Sequence, residues 1–535
     1  MSDELKDVVL KYVIAEYSEE GSDPISFETP LISGGIVDSF SMVSLKRFLE
    51  NKYKISIPDD QATPEAFDSV NKIADLVRRF TKACPAKGAP GAPRPERPPD
   101  READTHERAR HSLHPLRRTF MSYSDKTRSQ YQQTIQGLRD AGLLKQERYI
   151  HSSQAADIEV EFPEGASLRK VINMCANNYL GLSSHPDVVK AAHAGLDHRG
   201  YGMSSVRFIC GTQDIHRELE EVVTKFLGTE ATILFPSCMD ANAGVFEAIL
   251  TKDDVMISDR LVHASLIDCI RLCSAMQDTF KHSDMAHLEQ KLEMHQDRRI
   301  RLVITDGVFS MDGDTAKLDE MVALCEKYDA MLLVDDSHSS GFIGKTGRGT
   351  HEKYGVMGKI DVITTTYGKA LGGATGGCVS GRKELVEMCR QKARPYLFSN
   401  SIAPVVVEGV LKVFEILNAS TERRDKLEWN AAYWRKGLQE AGFVLREGDT
   451  PIVPVMLFNA KLAQDVSRAL YDEGVYAVGF FFPVVPQSQA RIRTQLSAGH
   501  EIHHLDKALA AFTKVGRKFD ILGKTRQEII DRYGM

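Results

Sequence analysis

A lysine set into a glycine-rich turn directly after an apolar strand is the first candidate for chemistry in this 535-residue chain. In DVITTTYGKALGGATGG (361–377), β-branched residues run to Thr366 and Lys369 follows just past the strand end. An amine held there, partly out of water, can form an imine with a carbonyl. Gly368, Gly372, Gly373, Gly376 and Gly377 would leave room for a planar group against the backbone. A solvated lysine on a common Gly-rich turn would look similar in isolation. The second candidate is AMLLVDDSHSSGFIG (330–344), an apolar strand that ends in Asp335, Asp336 and His338. A carboxylate at a strand end can keep an aromatic ring nitrogen protonated, and such a cationic ring accepts carbanion electrons. Asp335 is the candidate for that role. His338 could hydrogen-bond a phenolic oxygen of the same ring, and Asp336 reads as structural. An acidic pair after a strand could also bind a metal, but no matching cluster of ligands accompanies it.

Two further places complete the pattern. ATILFPSCMDANAGVFEAIL (231–250) reads as strand, turn and helix, with Ser237, Cys238 and Met239 at the turn and no basic residue nearby. Amides at a helix N-terminus and a hydroxyl can hold a phosphate there, because the helix dipole favours an anion; plain N-capping by Ser237 would read the same way. Thr366 is a further candidate phosphate ligand. His263 in SDRLVHASLID (258–268) follows a short strand and could stack on a flat ring, although a lone histidine is more often a core or surface residue. An imine-forming Lys369, Asp335 beneath a ring nitrogen and a phosphate at a helix terminus together predict pyridoxal 5′-phosphate (PLP).

Positioning these residues takes strands whose carboxyl ends meet. From about Phe120 onward, ATILF (231–235), RLVITD (301–306), AMLLVDD (330–336) and DVITTT (361–366) alternate with helical segments. Such alternation implies an α/β unit with a mostly parallel sheet covered by helices, its active residues at the strand ends. The expected organisation is a helical domain over 1–82, a Pro/Arg-rich linker over 83–118 and the α/β unit over 119–535. The linker lacks apolar periodicity, and a flexible chain of that length spans roughly 30 to 35 Å. In the first domain, helices are expected over Glu4–Tyr17, Phe40–Tyr53 and Pro64–Phe80, with Thr63 as N-cap of the third.

Composition narrows the function classes. Hydrophobic residues at 42% and charged residues at 27% are ordinary for a packed soluble protein, and a net charge of −6 without basic clusters offers no footprint for nucleic acid. The acidic start MSDELKDVVLKYV is unlike a signal peptide and no stretch reaches membrane-spanning length, so a cytoplasmic protein without a membrane partner is expected. Nine cysteines without paired short spacing, Cys269 and Cys273 apart, suggest neither a disulfide framework nor a metal site.

From about Tyr131 to Gly523 the chain resembles the α-oxoamine synthase family, and within it the glycine C-acetyltransferases. CANNYLGL (175–182), GMSSVRFICGTQDIHRELE (202–220), DGVFSMDGD (306–314), VDDSH (334–338), YGKALGGATGGCVSGRKE (367–384), RPYLFSNSIAP (394–404), GFFFPVVP (479–486) and ARIRTQLSAGH (490–500) occur in the family's order. The resemblance implies a fold-type I PLP-dependent transferase with a smaller α+β C-terminal part. It implies that Lys369 is the Schiff-base lysine and catalytic base, that Asp335 pairs with the pyridine nitrogen, that His338 contacts the ring oxygen and that His263 stacks on the ring. Asn177, Ser310 and Arg493 match positions that hold the substrate carboxylate. Ser399 and Asn400 match a segment that reaches the phosphate of the neighbouring subunit, which implies a homodimer with shared active sites. The reaction implied is condensation of a small amino acid, glycine above all, with an acyl thioester, the fate of the product carboxylate being left open. The absence of an arginine from FFFPVVP favours the glycine type. Tyr367 and Met239 depart from the residues usual in that type, which leaves acyl specificity open.

GGIVDSFSMVSL (34–45) looks like the attachment motif of acyl carrier proteins, with Ser39 as the serine that accepts 4′-phosphopantetheine from a phosphopantetheinyl transferase. Aspartate then serine at a helix start is also a common cap. A tethered carrier would face its catalytic site at roughly millimolar effective concentration, so the acyl donor is expected to be carrier-bound. The alternatives are a glycine C-acetyltransferase using acetyl-CoA in threonine metabolism, an aminotransferase of the same fold type, and a non-catalytic carrier or scaffold with a decayed synthase domain.

Overall fold

The computed structural model describes residues 2–17, 24–34, 36–37, 39–58, 61–81, 124–140, 144, 146–482 and 484–534. The expected linker lies outside these residues, as does Asp38. The first domain contains three helices, α1 (Ser2–Tyr17), α2 (Ser39–Tyr53) and α3 (Val70–Thr81). Val9 and Val13 of α1, Leu45 and Leu49 of α2, and Ile73 and Val77 of α3 close on one small core with Leu31 and Phe67. These helices are too short to persist alone, so their stability rests on that shared apolar face.

The third helix starts six residues later than its periodicity suggests. Thr63 caps only a turn, its hydroxyl taking the Ala66 amide. The Asp68 carboxylate then accepts from the amides of Ile32 and Ser33, at 3.1 and 2.7 Å, and pins the preceding loop across the helix entrance. Next comes α4 (Asp125–Asp140), a helix with no buried residue.

The remainder is built on a seven-stranded sheet: β1 (Ala231–Phe235), β2 (Val255–Asp259), β3 (Met276–Phe280), β4 (Arg301–Asp306), β5 (Met331–Asp335), β6 (Val362–Thr366) and β7 (Gly377–Gly381). Their order across the sheet is β1-β7-β6-β5-β4-β2-β3, parallel except for β7, which runs against both β1 and β6. Alternate side chains feed opposite faces. Val303, Leu332, Val334 and Ile363 enter one core, and Leu302, Ile304, Leu333 and Val362 enter the other. Burial on both faces is why these strands read as continuous apolar runs. The C-terminal part carries a three-stranded antiparallel sheet in the order β8 (Ile452–Phe458), β10 (Ala490–Gln495), β9 (Val478–Phe480). A further four-stranded sheet gathers 149–150, 157–161, 169–173 and 475–476.

The architecture agrees with the expected α/β class; ATILF and RLVITD are β1 and β4 as read, and the other two strand expectations hold to within one residue at either end. Among the described residues no helix is long and apolar enough to cross a membrane.

Candidate active site

The carboxyl ends of β1, β2, β4, β5 and β6 deliver most of the candidate residues to one place. Asp335 is the last residue of β5, buried at 5% exposure, and its register partner on β4 is Asp306. Asp335 accepts 2.8 Å from the Asn242 side-chain amide and 3.0 Å from the Ser337 backbone amide. Asn242 comes from α5 (Cys238–Ile249), the helix that follows β1, so the carboxylate is aimed by a neighbouring helix. The thiol of Cys238 lies 3.8 Å from the same carboxylate. Burial, then the nearby Asp335 charge, pushes that thiol well above its ordinary pKa, which makes Cys238 a wall and not a nucleophile.

Lys369 stands in the turn after β6. Burial pushes its amine below the ordinary lysine value, with Asp335 opposing the shift and Arg493 adding to it. The shift enlarges the free-base fraction relative to an exposed lysine, the form that attacks an aldehyde or takes a proton. The glycines act differently from expectation. Rather than only leaving space, Gly377 allows backbone to meet backbone, since a Cβ there would sit 2.6 Å from the Cys238 amide nitrogen. Gly376, at φ +103°, lies in the left-handed region and forms a parallel bridge with Ser237. Together they press the lysine turn against the start of α5.

Ser237 is the N-cap of α5: its hydroxyl receives the Asp240 amide at 3.1 Å and donates to the Asp240 carboxylate at 2.7 Å. Its capping role is thus occupied, and an anion here would rely on the backbone amides of the first turn. Thr366 is likewise engaged, taking the Gly368 amide at 3.0 Å and donating to the Gly376 carbonyl at 3.2 Å. Met239 is exposed next to these groups. Tyr367 is fully buried in the core, so it does not line the pocket and drops out as a specificity position.

His263 opens helix α6 (Ala264–Leu272) as its N-cap, and its Nδ1 lies 2.8 Å from the Ser265 hydroxyl. Its ring remains exposed. Surrounding protein lowers its pKa through desolvation, with the Asp335 charge opposing. His338 is buried, and its Nδ1 lies 2.8 Å from the Tyr179 hydroxyl. Desolvation, then the Lys369 and Arg493 charges, holds its pKa well below the usual histidine value. Both histidines are therefore neutral at physiological pH. Asp336 turns away and takes the hydroxyls of Ser339, Ser340 and Thr350, a structural role as expected.

Opposite, β10 supplies Arg493. One terminal nitrogen donates 2.8 Å to the Ser310 carbonyl and the other 3.2 Å to the Gln495 side-chain oxygen. The guanidinium lies 4.8 Å over the Phe480 ring, and its Nε is buried without a partner. The Gln495 side-chain nitrogen donates to Asn177 and, at 2.8 Å, to the Tyr179 hydroxyl. The three expected carboxylate ligands thus meet, bridged by a residue the motif reading passed over. Gln495 was present in ARIRTQL, two residues after the arginine and so on the same strand face. Asn242, Tyr179 and Asp306 were missed for the same reason: only their spatial partners mark them. Ser399 and Asn400 lie apart, Asn400 bridging Val206, and among the described residues neither hydrogen-bonds to the Lys369 cluster.

These groups fit PLP. Lys369 offers the amine, Asp335 a buried carboxylate with only neutral hydrogen-bond partners, His263 an open ring face, and α5 an N-terminus free of competing side-chain charge apart from Asp240. Among the described residues no group of three or more His, Cys, Asp or Glu is placed to hold a metal.

Residues 169–512 match the family described as aminotransferase class I and II. The chain is 51% identical over 397 residues to the 2-amino-3-ketobutyrate coenzyme A ligase of Escherichia coli (strain K12), covering 73% of this chain and 98% of that one. The mitochondrial enzyme of that name from Homo sapiens is 48% identical, covering 72% and 90%. A solved Sphingomonas wittichii serine palmitoyltransferase superposes with a TM-score of 0.68 at 29% identity, covering 74% of this chain and 99% of that one. The chain belongs to the α-oxoamine synthase family of PLP-dependent acyltransferases.

Proposed function

We propose that the chain joins glycine to the acyl group of a thioester, with acetyl-CoA as donor, in the manner of the 2-amino-3-ketobutyrate coenzyme A ligases it resembles. The observation that carries this reading is the buried Arg493 fork beside Asn177 and Ser310, with a buried Nε left unpaired for an incoming carboxylate. PLP, when bound, supplies an electron sink that acidifies the α-proton of an amino acid. Arg493 holds the amino-acid carboxylate and fixes which α-substituent faces Lys369. The Lys369 Nζ, its basicity lowered by burial, takes that proton and can return it. Asp335, aimed by Asn242, would hold the ring nitrogen of the cofactor and keep a proton on it. With Tyr179 donating to its Nδ1, the tautomer that a neutral ring with this partner supports, His338 would offer its Nε2 proton to the oxygen of the cofactor ring.

A homodimer is part of the proposal. Phe208, Ile209 and Phe398 are 62%, 68% and 67% exposed around the Asn400–Val206 bridge. So apolar a patch favours a partner surface, and a second copy would bring Ser399 and Asn400 to the other subunit's site.

A carrier-bound donor is the second reading. It is supported by the three-helix domain and by α2 opening at Ser39, whose side chain lies outside the described residues. Thiol release measured with glycine and acetyl-CoA tests the first reading; turnover with an aminotransferase substrate pair and none with these would end it. Intact mass spectrometry after treatment with a phosphopantetheinyl transferase and CoA tests the second. A mass gain of one arm, absent in Ser39→Ala, is expected, and no gain would remove the carrier.

A further inference from the structure

The first domain meets the synthase unit at the open edge of its sheet. Strand β3 pairs only with β2, and helix α7 (Met285–Met294) follows it. Lys291 of α7 is buried, its side chain 6% exposed. Its ammonium reaches both oxygens of Glu16, at 3.1 and 3.3 Å, and the Asp278 carboxylate on β3 at 3.1 Å. The other Asp278 oxygen lies 2.7 Å from His295 Nε2. Glu16 belongs to α1, so one of the two carboxylates that face this buried lysine comes from the other domain. Without it, Lys291 and His295 would share a single carboxylate, an expensive arrangement away from water.

Two more contacts come from the same end of α1. The Arg260 guanidinium lies 5.3 Å from the Tyr17 ring centroid. Burial, then the Glu16 and Asp278 carboxylates, pushes the Tyr12 hydroxyl above its ordinary pKa, so Tyr12 also lies near β3. Tyr12 is itself stacked on Phe48 of α2 at 3.9 Å, which ties the contact to the body of the helical domain. Arg260 stands three residues before His263, and its amide donates to the Phe280 carbonyl at the end of β3. A groove of about 270 Å³, lined by Glu16, His287, Lys291 and Met294 among others, stays open beside the cluster. The contact is therefore polar and incompletely packed, like interfaces between domains that move relative to each other.

We propose that the edge formed by β3 and α7 is a docking site for the chain's own helical domain, engaged reversibly through Glu16. The dock holds that domain beside the segment that carries His263. It depends on α1 alone, and so stands whether or not Ser39 is ever modified.

Hydrogen exchange of the full-length holoenzyme, read on peptides spanning 276–295, tests the dock. Glu16→Lys sets a cation against Lys291, and the α7 amides should exchange at least about tenfold faster, because one partner of a buried charge pair has been reversed. Peptides from α2 and α3 and the bound-cofactor absorbance should not change, nor should turnover with glycine and acetyl-CoA, since Glu16 lies outside the catalytic groups, whereas α1 at 5–17 should loosen together with α7. Lys291→Met approaches the same contact from the other side and should loosen α1 exchange at 5–17 as well. Unchanged α7 exchange in Glu16→Lys, with the helical domain still folded, would overturn the proposal. So would loosening of α7 by Lys291→Met with no effect on α1.

Discussion

On the sheet side of the pocket Asp335 is fully served, taking hydrogen bonds from Asn242 and from the Ser337 amide, whereas on the C-terminal side Arg493 is buried with its Nε unpaired. Both sides carry a buried charge, and burying charge without partners is costly. The first side is finished by the protein itself and is organised to hold one thing permanently. The second spends part of the arginine fork on Ser310 and Gln495 and leaves the rest for an anion that comes and goes. Under the proposed function this difference separates a cofactor wall from a substrate wall, and each can be broken separately.

The largest effect belongs to the cofactor side. Lys369→Ala removes both the proposed covalent attachment point and the proposed base, and turnover should fall by about a thousandfold or more. Borohydride reduction followed by peptide mass mapping is the check. A chromophore still fixed to the Lys369→Ala chain would show that another amine does this work. On the substrate side, Arg493→Gln should lower kcat/KM for glycine by about a hundredfold, the loss of charge-assisted hydrogen bonds to a carboxylate. The bound-cofactor spectrum should stay as in the parent. If the spectrum collapsed as well, the two walls would not be independent.

The two walls were unequally legible. Strand ends with Lys369, Asp335 and His338 stand in short contiguous motifs, because a strand and the turn after it are local in sequence and the sheet converts them into a site. The apolar and β-branched runs of β4, β5 and β6 were readable for the same reason: burial on both faces keeps charged residues to their ends. Asn242 gave no such signal, since its importance lies in pointing at Asp335 from another helix, and Asp306 becomes notable only as the register neighbour of Asp335 on β4. Tyr367 misled in the opposite direction. Its departure from the residue usual in the glycine type suggested a bearing on acyl specificity, but side chains alternate at a strand end and this one enters the core. The late start of α3 was hidden because apolar periodicity says nothing of Asp68 capturing the amides of Ile32 and Ser33.

The substrate wall also has a pH-sensitive support. His500 is buried at 1% exposure, receives the Ser497 amide on Nδ1 and faces the Asn173 carbonyl with Nε2, which secures the segment leading to Asn177. Desolvation pushes its pKa down to about 4, against an ordinary value of about 6.5. The unfolded chain therefore takes up this proton at higher pH than the folded one. The stabilisation from neutral His500 is complete above about pH 6.5 and drains away as pH falls towards 4, amounting to about 2 kcal/mol lost by pH 5. Urea unfolding at pH 7 and pH 5 should show this loss for the parent and a smaller one for His500→Gln. Equal losses would assign the acid sensitivity to other groups.

The smallest effect tests how the unfinished wall is kept in readiness. Gln495 touches no substrate atom in this arrangement; its oxygen receives Arg493 and its nitrogen donates to Asn177 and Tyr179. It is a positioning residue, and neutrality is part of its fitness. A carboxylate in its place would pair with the guanidinium from within and compete with the incoming anion, so Gln495→Glu should approach the damage of losing the arginine. Gln495→Leu instead removes only the orientation. KM for glycine should rise about tenfold while kcat stays within about twofold, the worth of one or two hydrogen bonds that aim a charged group. A fall in kcat at unchanged KM would mean that Gln495 acts through Tyr179 on His338, and would move it from the substrate wall to the cofactor wall.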